Sequence, residues 1–119
     1  MSQRRLFRVA ERIQALVANA LPQAADPRFS MVTITSVMVS PDLRQARVYW
    51  VIGGEESKKK AATEAFAKAA SFFRRIVAKE LGLRYAPQLR FFYDDMLDTC
   101  AEVDRLLQQV GGPDSSGDQ

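Results

Sequence analysis

The chain has 119 residues, of which 47% are hydrophobic and 26% charged, so it suits one soluble domain and leaves no room for a second core. It contains no histidine and one cysteine, which excludes an internal disulfide and argues against a zinc site and against the commonest general base. No apolar run approaches a membrane span, and residues 1–8 are too charged for a signal peptide, so we expect a cytoplasmic protein.

Charge is distributed unevenly along the chain. Residues 1–93 contain 16 of the 17 lysines and arginines but 7 of the 14 acidic residues, a net charge of +9. Residues 94–119 contain one arginine and seven acidic residues, a net charge of −6. A basic body is typical of a protein with a polyanionic partner such as RNA, although a solvated surface with an acidic tail would have the same composition. Charge alone leaves both interpretations open.

The N-terminal region predicts an amphipathic helix over residues 4–20. Apolar residues recur there at intervals of three and four, as on one buried face: Leu6, Val9, Ile13, Leu16, Val17 and Ala20. Arg5, Arg8 and Arg12 repeat at the same spacing on another face. Pro22 is expected to end this helix, and a loop should follow it over residues 23–30.

Two strands are predicted to follow as an antiparallel hairpin. Met31–Val39 is rich in β-branched residues, and buried and outward positions alternate along Leu43–Ile52. Between the two, Ser40–Leu43 has the composition of a tight turn, with proline at its second position. A glycine pair at 53–54 then ends the hairpin.

A long helical region is predicted from about Ser57 to Leu81. Its first half is dominated by alanine, and its second half contains larger apolar side chains. We interpret it as two helices joined at Ala69, Ala70 and Ser71, with Ser71 able to cap the second helix. Nothing in the sequence forbids one continuous helix.

The last part of the chain predicts a strand and a short helix. Gly82 is a natural helix stop, and Leu89–Tyr93 has the composition of a third strand. Asp95 can cap a helix from Met96 to about Gln109, and residues 111–119 have the composition of a disordered acidic tail.

This order of elements predicts an α+β fold. Two adjacent strands and a distant third should form one three-stranded sheet, with the helices packed on one face as a two-layer sandwich. The third strand follows a helical crossover, so it could pair parallel to one of the others. We expect one folded domain over residues 1–110, in the order αββααβ with a short C-terminal helix.

Basic residues form three candidate binding surfaces on the predicted helices. Arg74, Arg75 and Lys79 lie within two turns, and the last two are four apart on one helix face. Arg5, Arg8 and Arg12 could follow a phosphate backbone along the first helix. For both groups the alternative is a solvated helix face with no ligand.

The third group is the run Lys58, Lys59 and Lys60. Cations near a helix N-terminus oppose the helix dipole, and a bound polyanion would offset that cost. Alternatively, these lysines belong to a frayed loop and the helix begins near Ala61. Arg84 and Arg90 could bind RNA or serve the structure, whereas Arg28 beside a proline suggests a loop anchored on a carboxylate.

Acidic and aromatic residues near the third strand offer other functions. Asp94, Asp95 and Asp98 could hold Mg²⁺ in a carboxylate-dependent enzyme, but capping of the following helix explains them better. Aromatic residues could stack on bases, although most have the spacing of core residues. Only one of Phe92 and Tyr93 can face inward, so the other is the better candidate for an exposed stacking residue.

The chain resembles the ribosome-binding factor A family over roughly residues 4–108. The resemblance rests on short motifs that occur in the family's order and spacing: Arg8–Ile13, Asp26–Arg28, Val32–Val37, Val39–Leu43, Ala46–Tyr49, Ala69–Arg74, Leu83–Leu89 and Phe91–Asp94. Each motif is weak alone, and together they are specific.

The resemblance implies a type-II KH-like domain and a function. Family members bind the small ribosomal subunit and its 16S rRNA during late assembly, without enzymatic activity or a cofactor, and we expect a monomer. The family lacks the Gly-x-x-Gly loop of RNA-clamping KH domains, and no glycine pair here has that spacing. The family's interhelical kink of Ala-x-Gly type corresponds here to Ala69, Ala70 and Ser71, with serine in place of glycine.

Overall fold

The computed structural model describes residues 3–82, 84 and 86–95. Helix α1 (Gln3–Ala20) is followed by two short 3-10 turns, Pro22–Ala24 and Pro27–Phe29. The remaining elements are strand β1 (Val32–Val39), strand β2 (Gln45–Ile52), helix α2 (Glu56–Leu81) and strand β3 (Gln88–Tyr93). The predicted C-terminal helix and the predicted acidic tail lie outside the described residues.

The three strands form one mixed sheet in the order β1-β2-β3. β1 and β2 pair antiparallel, and the backbone N–H of Leu43 donates to the carbonyl of Ser40 at 2.9 Å in the turn between them. β3 pairs parallel to β2, from Gln45 beside Gln88 to Trp50 beside Tyr93. The hairpin and the parallel third strand are therefore confirmed.

Both helices pack on the same face of this sheet, which gives the predicted two-layer α+β fold. Along β2, Ala46, Val48 and Trp50 are buried against the helices, whereas Arg47 is exposed on the opposite face. From α1, Ile13 is fully buried in the same core. The two-residue period of β2 therefore assigns its faces as the sequence predicts. No helix in the described part of the chain is long and apolar enough to cross a membrane.

The region between β2 and β3 is one helix of 26 residues, so the prediction of two helices joined at Ala69–Ser71 is wrong. Alanine is the strongest helix former, and Ser71 is an exposed residue that neither fixes φ nor removes a hydrogen-bond donor. Nothing there interrupts the helical hydrogen bonds, and a bend at these residues stays a prediction. Gly82 ends the helix as expected, with φ of 63° and its N–H donating to the carbonyl of Ala78.

An aromatic cluster fills the space between α2 and the sheet. The ring centroid of Phe66 lies 4.7 Å from that of Phe29, 5.0 Å from that of Trp50 and 4.6 Å from that of Phe91. Phe73 lies about two turns after Phe66 on the same face of α2 and is also fully buried. Its ring centroid is 5.8 Å from that of Phe29. The cluster thus joins the loop after α1, helix α2 and two strands.

The loop that follows α1 is held by an ion pair. The carboxylate of Asp26 accepts hydrogen bonds from the guanidinium of Arg28, at 2.7 Å from Nη2, and from its backbone N–H at 3.0 Å. These hydrogen bonds from Arg28 lower the pKa of Asp26 from 3.8 to about 2. The expected anchoring of Arg28 on a carboxylate is confirmed.

Replacing Asp26 by Asn tests the contribution of this ion pair. Asn keeps an oxygen for the backbone N–H of Arg28 but removes the charge. Because folding lowers the pKa of Asp26, its carboxylate stabilises the fold above about pH 4, and this contribution is lost as the pH falls toward 2. Urea denaturation from pH 7 to pH 2 should show Asp26→Asn less stable at neutral pH and equal to the unsubstituted chain near pH 2. A difference that does not depend on pH would contradict this.

Candidate nucleic-acid interface

The structure separates the predicted basic clusters into two groups at opposite ends of α2. Lys58, Lys59 and Lys60 lie in its first turns, and Arg74, Arg75 and Lys79 lie near its C-terminal end. At about 1.5 Å rise per residue, Lys60 and Arg74 are about 21 Å apart along the helix axis. The two groups therefore cannot form one compact site.

One arginine of α1 contacts the C-terminal end of α2. The guanidinium of Arg12 donates from Nη2 to the backbone carbonyl of Glu80 at 2.8 Å. Because α2 ends at Leu81, this carbonyl has no partner within the helix, and the positive charge also suits the negative end of the helix dipole. Arg8, one turn before Arg12, is exposed on the same face of α1.

This contact brings the arginines of α1 close to the basic residues near the end of α2. We call the resulting surface the basic end, and it is formed by Arg8, Arg12, Arg75 and Lys79. All four side chains are exposed. Arg75 and Lys79 share one helix face, and neither forms an ion pair within residues 3–82, 84 and 86–95. Arg5 and Arg84 are also exposed, and both interact with other groups of the chain.

Arg74 differs from its neighbours because it holds a loop. Its guanidinium donates from Nη2 to the carbonyl of Ala86 at 3.0 Å, just before β3 begins. Since successive helical residues point about 100° apart, Arg74 and Arg75 cannot face the same way. Arg74 therefore holds the connection between α2 and β3, whereas Arg75 and Lys79 extend from another face of the helix. RNA binding by Arg74 stays a prediction.

The lysine run lies within α2, which begins at Glu56, so the alternative of a frayed loop with a helix beginning near Ala61 is wrong. The Nζ atom of Lys59 lies 4.2 Å from the ring centroid of Tyr93 and 3.8 Å from Oε1 of Glu56. This cation–π contact and the ion pair offset the unfavourable position of the charge near the helix N-terminus. A bound polyanion is not needed to explain Lys59.

The acidic residues after β3 do not assemble into a metal site within the described part of the chain. Asp94 accepts a hydrogen bond from Oγ1 of Thr35 at 2.6 Å, and its backbone N–H donates to the carbonyl of Trp50. Asp98 lies outside the described residues. Among those residues, no group of three or more histidine, cysteine, aspartate or glutamate side chains could hold a metal ion.

Of the two aromatic residues at the end of β3, Phe92 is the exposed one. It is 41% exposed on the face of the sheet away from the helices, whereas the Tyr93 ring packs edge-on against Trp50 at 5.1 Å. Sequence analysis did not single out Tyr49 and Arg47, which lie beside Phe92 on that face. The two-residue period of β2 could have identified both, because it places them opposite the buried positions.

Arg12 and Arg8 should differ in their effects on stability, because Arg12 alone satisfies a helix-terminal carbonyl. We expect Arg12→Met to lower the free energy of unfolding by about 0.5–1.5 kcal/mol, the usual contribution of a hydrogen bond, aided by the helix dipole. Arg8→Met should change it by less than about 0.5 kcal/mol, as at other surface positions. Urea denaturation of both variants measures this, and equal losses of stability would contradict the assignment.

Comparison with known proteins places the chain in a family. The sequence model described as ribosome-binding factor A matches residues 5–107. The ribosome-binding factor A of Desulfatibacillum aliphaticivorans is 45% identical over 109 residues, which cover 91% of this chain and 89% of that protein. That of Geobacter metallireducens is 38% identical over 116 residues, which cover 97% of this chain and 98% of that protein.

Solved structures agree with this placement. The solution structure of a Thermotoga maritima protein, described as a putative ribosome binding factor A, superposes with a TM-score of 0.66 at 38% identity, covering 71% of this chain and 82% of that one. A homology model of the Thermus thermophilus ribosome binding factor A, fitted into a cryo-EM map of a 30S complex, has a TM-score of 0.61 at 23% identity. It covers 72% of this chain and 91% of that one, and it supports the fold alone. The basic end and the two-layer fold agree with these matches. The chain therefore belongs to the ribosome-binding factor A family.

Proposed function

We propose that this chain is a non-enzymatic assembly factor that binds the small (30S) ribosomal subunit and its 16S rRNA during late maturation and rRNA processing, as a monomer. The observation that carries the proposal is the contact of Arg12 with the carbonyl of Glu80, because it joins the arginines of α1 to Arg75 and Lys79 in one basic end. Membership of the ribosome-binding factor A family supports the choice of partner.

The chemistry of the basic end suits a large folded RNA. Its charges extend from two helices that are packed against a common core, so their spacing changes little on binding. Arginine offers planar donors to phosphate, and lysine adds a point charge. A rigid surface of this kind matches fixed phosphate positions in a folded RNA better than a mobile loop would.

The two alternative functions have less support. A free-standing KH module would clamp RNA with a Gly-x-x-Gly loop, and the sequence has no such glycine pair. A carboxylate-dependent Mg²⁺ enzyme would need acidic side chains gathered around an ion. In the part of the chain that the structure describes, Asp94 is instead hydrogen-bonded to Thr35.

Reversing the charges of Arg75 and Lys79 tests the proposal. The double variant Arg75→Glu, Lys79→Glu replaces two phosphate contacts by two repulsions, so we expect binding to purified small subunits to weaken about tenfold or more. Both side chains are exposed, so the thermal midpoint should move only slightly. Co-sedimentation with small subunits at fixed salt measures the affinity.

The variant Lys58→Glu, Lys60→Glu is the matched control. It makes the same change of charge on the same helix, about 22–32 Å away along the axis. We expect it to retain most of the affinity. Equal losses in the two variants would mean that overall charge, and not a contact at the basic end, governs binding. Normal affinity of Arg75→Glu, Lys79→Glu would place the contact elsewhere.

A further inference from the structure

The face of the sheet that the helices leave uncovered carries an ordered set of side chains, which we call the open face. The register of the strands aligns them in two neighbouring rows that run across the sheet. One row consists of Met38, Arg47 and Arg90, and the next consists of Ser36, Tyr49 and Phe92. An arginine row thus lies directly beside an aromatic row.

The aromatic row places two rings side by side on the open face, that of Tyr49 on the central strand and that of Phe92 on the edge strand. The ring centroids of Tyr49 and Phe92 are 5.8 Å apart, with planes inclined by 32°. Phe92 is 41% exposed, and Met38 in the neighbouring row is 60% exposed. The cost of exposing such large apolar groups would be offset if a flat ligand stacked on them.

The arginine row carries uncompensated positive charge. Arg47 and Arg90 are direct neighbours on parallel strands, about 4.8 Å apart in the pairing direction, and like charges in such positions repel each other. Neither guanidinium has a hydrogen bond or an ion pair to any residue that the structure describes. The sequences of the three strands contain no aspartate or glutamate. An anion at this position would relieve the repulsion.

We propose that the open face binds a single-stranded segment of RNA, whose bases stack on Tyr49 and Phe92 and whose phosphates contact Arg47 and Arg90. Every base has a flat face that an aromatic ring can stack on, and each nucleotide carries the anion that the arginines lack. Paired RNA does not fit, because its bases are already stacked within the helix. A second copy of the chain fits poorly, because face-to-face association would bring arginines against arginines.

This inference rests on the proposed function for its class of ligand, but it concerns a different surface. The basic end lies in the helix layer, and the open face lies on the opposite side of the sheet. The helix layer would meet folded RNA through phosphates, whereas the open face would meet unpaired bases. The two contacts can therefore be removed separately.

Binding of a short unstructured RNA tests the inference. A fluorescein-labelled single-stranded RNA decamer is titrated with the full chain and with the variant Tyr49→Leu, Phe92→Leu, and fluorescence anisotropy is measured. Leucine keeps the sites apolar but cannot stack, so we expect the affinity to fall at least about fivefold, since stacking of a single base is worth that much or more. Phe7→Leu is the matched control, because Phe7 is an exposed phenylalanine of α1, and it should bind as the unsubstituted chain does. Unchanged affinity in the double variant would overturn the proposal.

Ultraviolet crosslinking of the unsubstituted chain to the same decamer provides a test that does not depend on how a variant folds. Mass spectrometry should find the crosslinks in peptides of β2 and β3, at Tyr49 or Phe92. Crosslinks confined to α1 and α2 would overturn the proposal. It would also be overturned if Tyr49→Leu, Phe92→Leu changed the monomer–dimer equilibrium and left RNA affinity intact.

The variant Arg75→Glu, Lys79→Glu separates the two surfaces. It should still crosslink the decamer through β2 and β3, even where it no longer co-sediments with small subunits. If the open face does not bind RNA, only the decamer experiments would give the contrary result. If the proposed function is wrong, the unsubstituted chain would not co-sediment with small subunits.

Discussion

The arrangement of this molecule depends on how α2 is held across the sheet. Because β3 runs parallel to β2, no tight turn can join them, and the chain must return over one face of the sheet as a helix. Phe66 fixes that helix, since its ring contacts the loop after α1, strand β2 and strand β3 at once. Removing so large a buried ring would cost about 3–5 kcal/mol, a large share of the stability of a small domain. Both candidate surfaces inherit their geometry from this contact.

A one-sided helix layer has two consequences for function. The middle of α1 meets the C-terminal end of α2 where Arg12 reaches the last turn of α2, which gathers basic side chains from distant parts of the sequence. Neither α1 nor α2 covers the opposite face of the sheet, and its strands present Arg47, Tyr49, Arg90 and Phe92 side by side. One side of the molecule thus offers charge at fixed positions, and the other offers flat rings with charge beside them. An RNA partner of the kind that we propose would use both surfaces.

Local patterns predicted the elements well, but the partners of individual charges depend on distant residues. The alternation along β2 gave the buried positions Ala46, Val48 and Trp50, and Gly82 marked the end of α2. The division at Ala69–Ser71 was wrong because weak local preferences do not end a helix that packs along its whole length. Arg12 binds a carbonyl 68 residues away, and Arg74 binds the carbonyl of Ala86. Both contacts follow only from the packing of the folded chain. Local patterns therefore locate the basic helices but not the hydrogen bonds that individual arginines form within the fold.

We propose that phosphate contacts from the helix layer hold this protein on the small subunit. The affinity for purified small subunits, measured over a range of KCl concentrations, tests this directly. Log affinity should fall linearly and steeply with log salt, because each phosphate neutralised releases counterions. Replacing Arg75 and Lys79 by Gln should make the slope shallower by about one for each lost contact. An affinity that hardly changes with salt, or a slope unaltered by these substitutions, would contradict it.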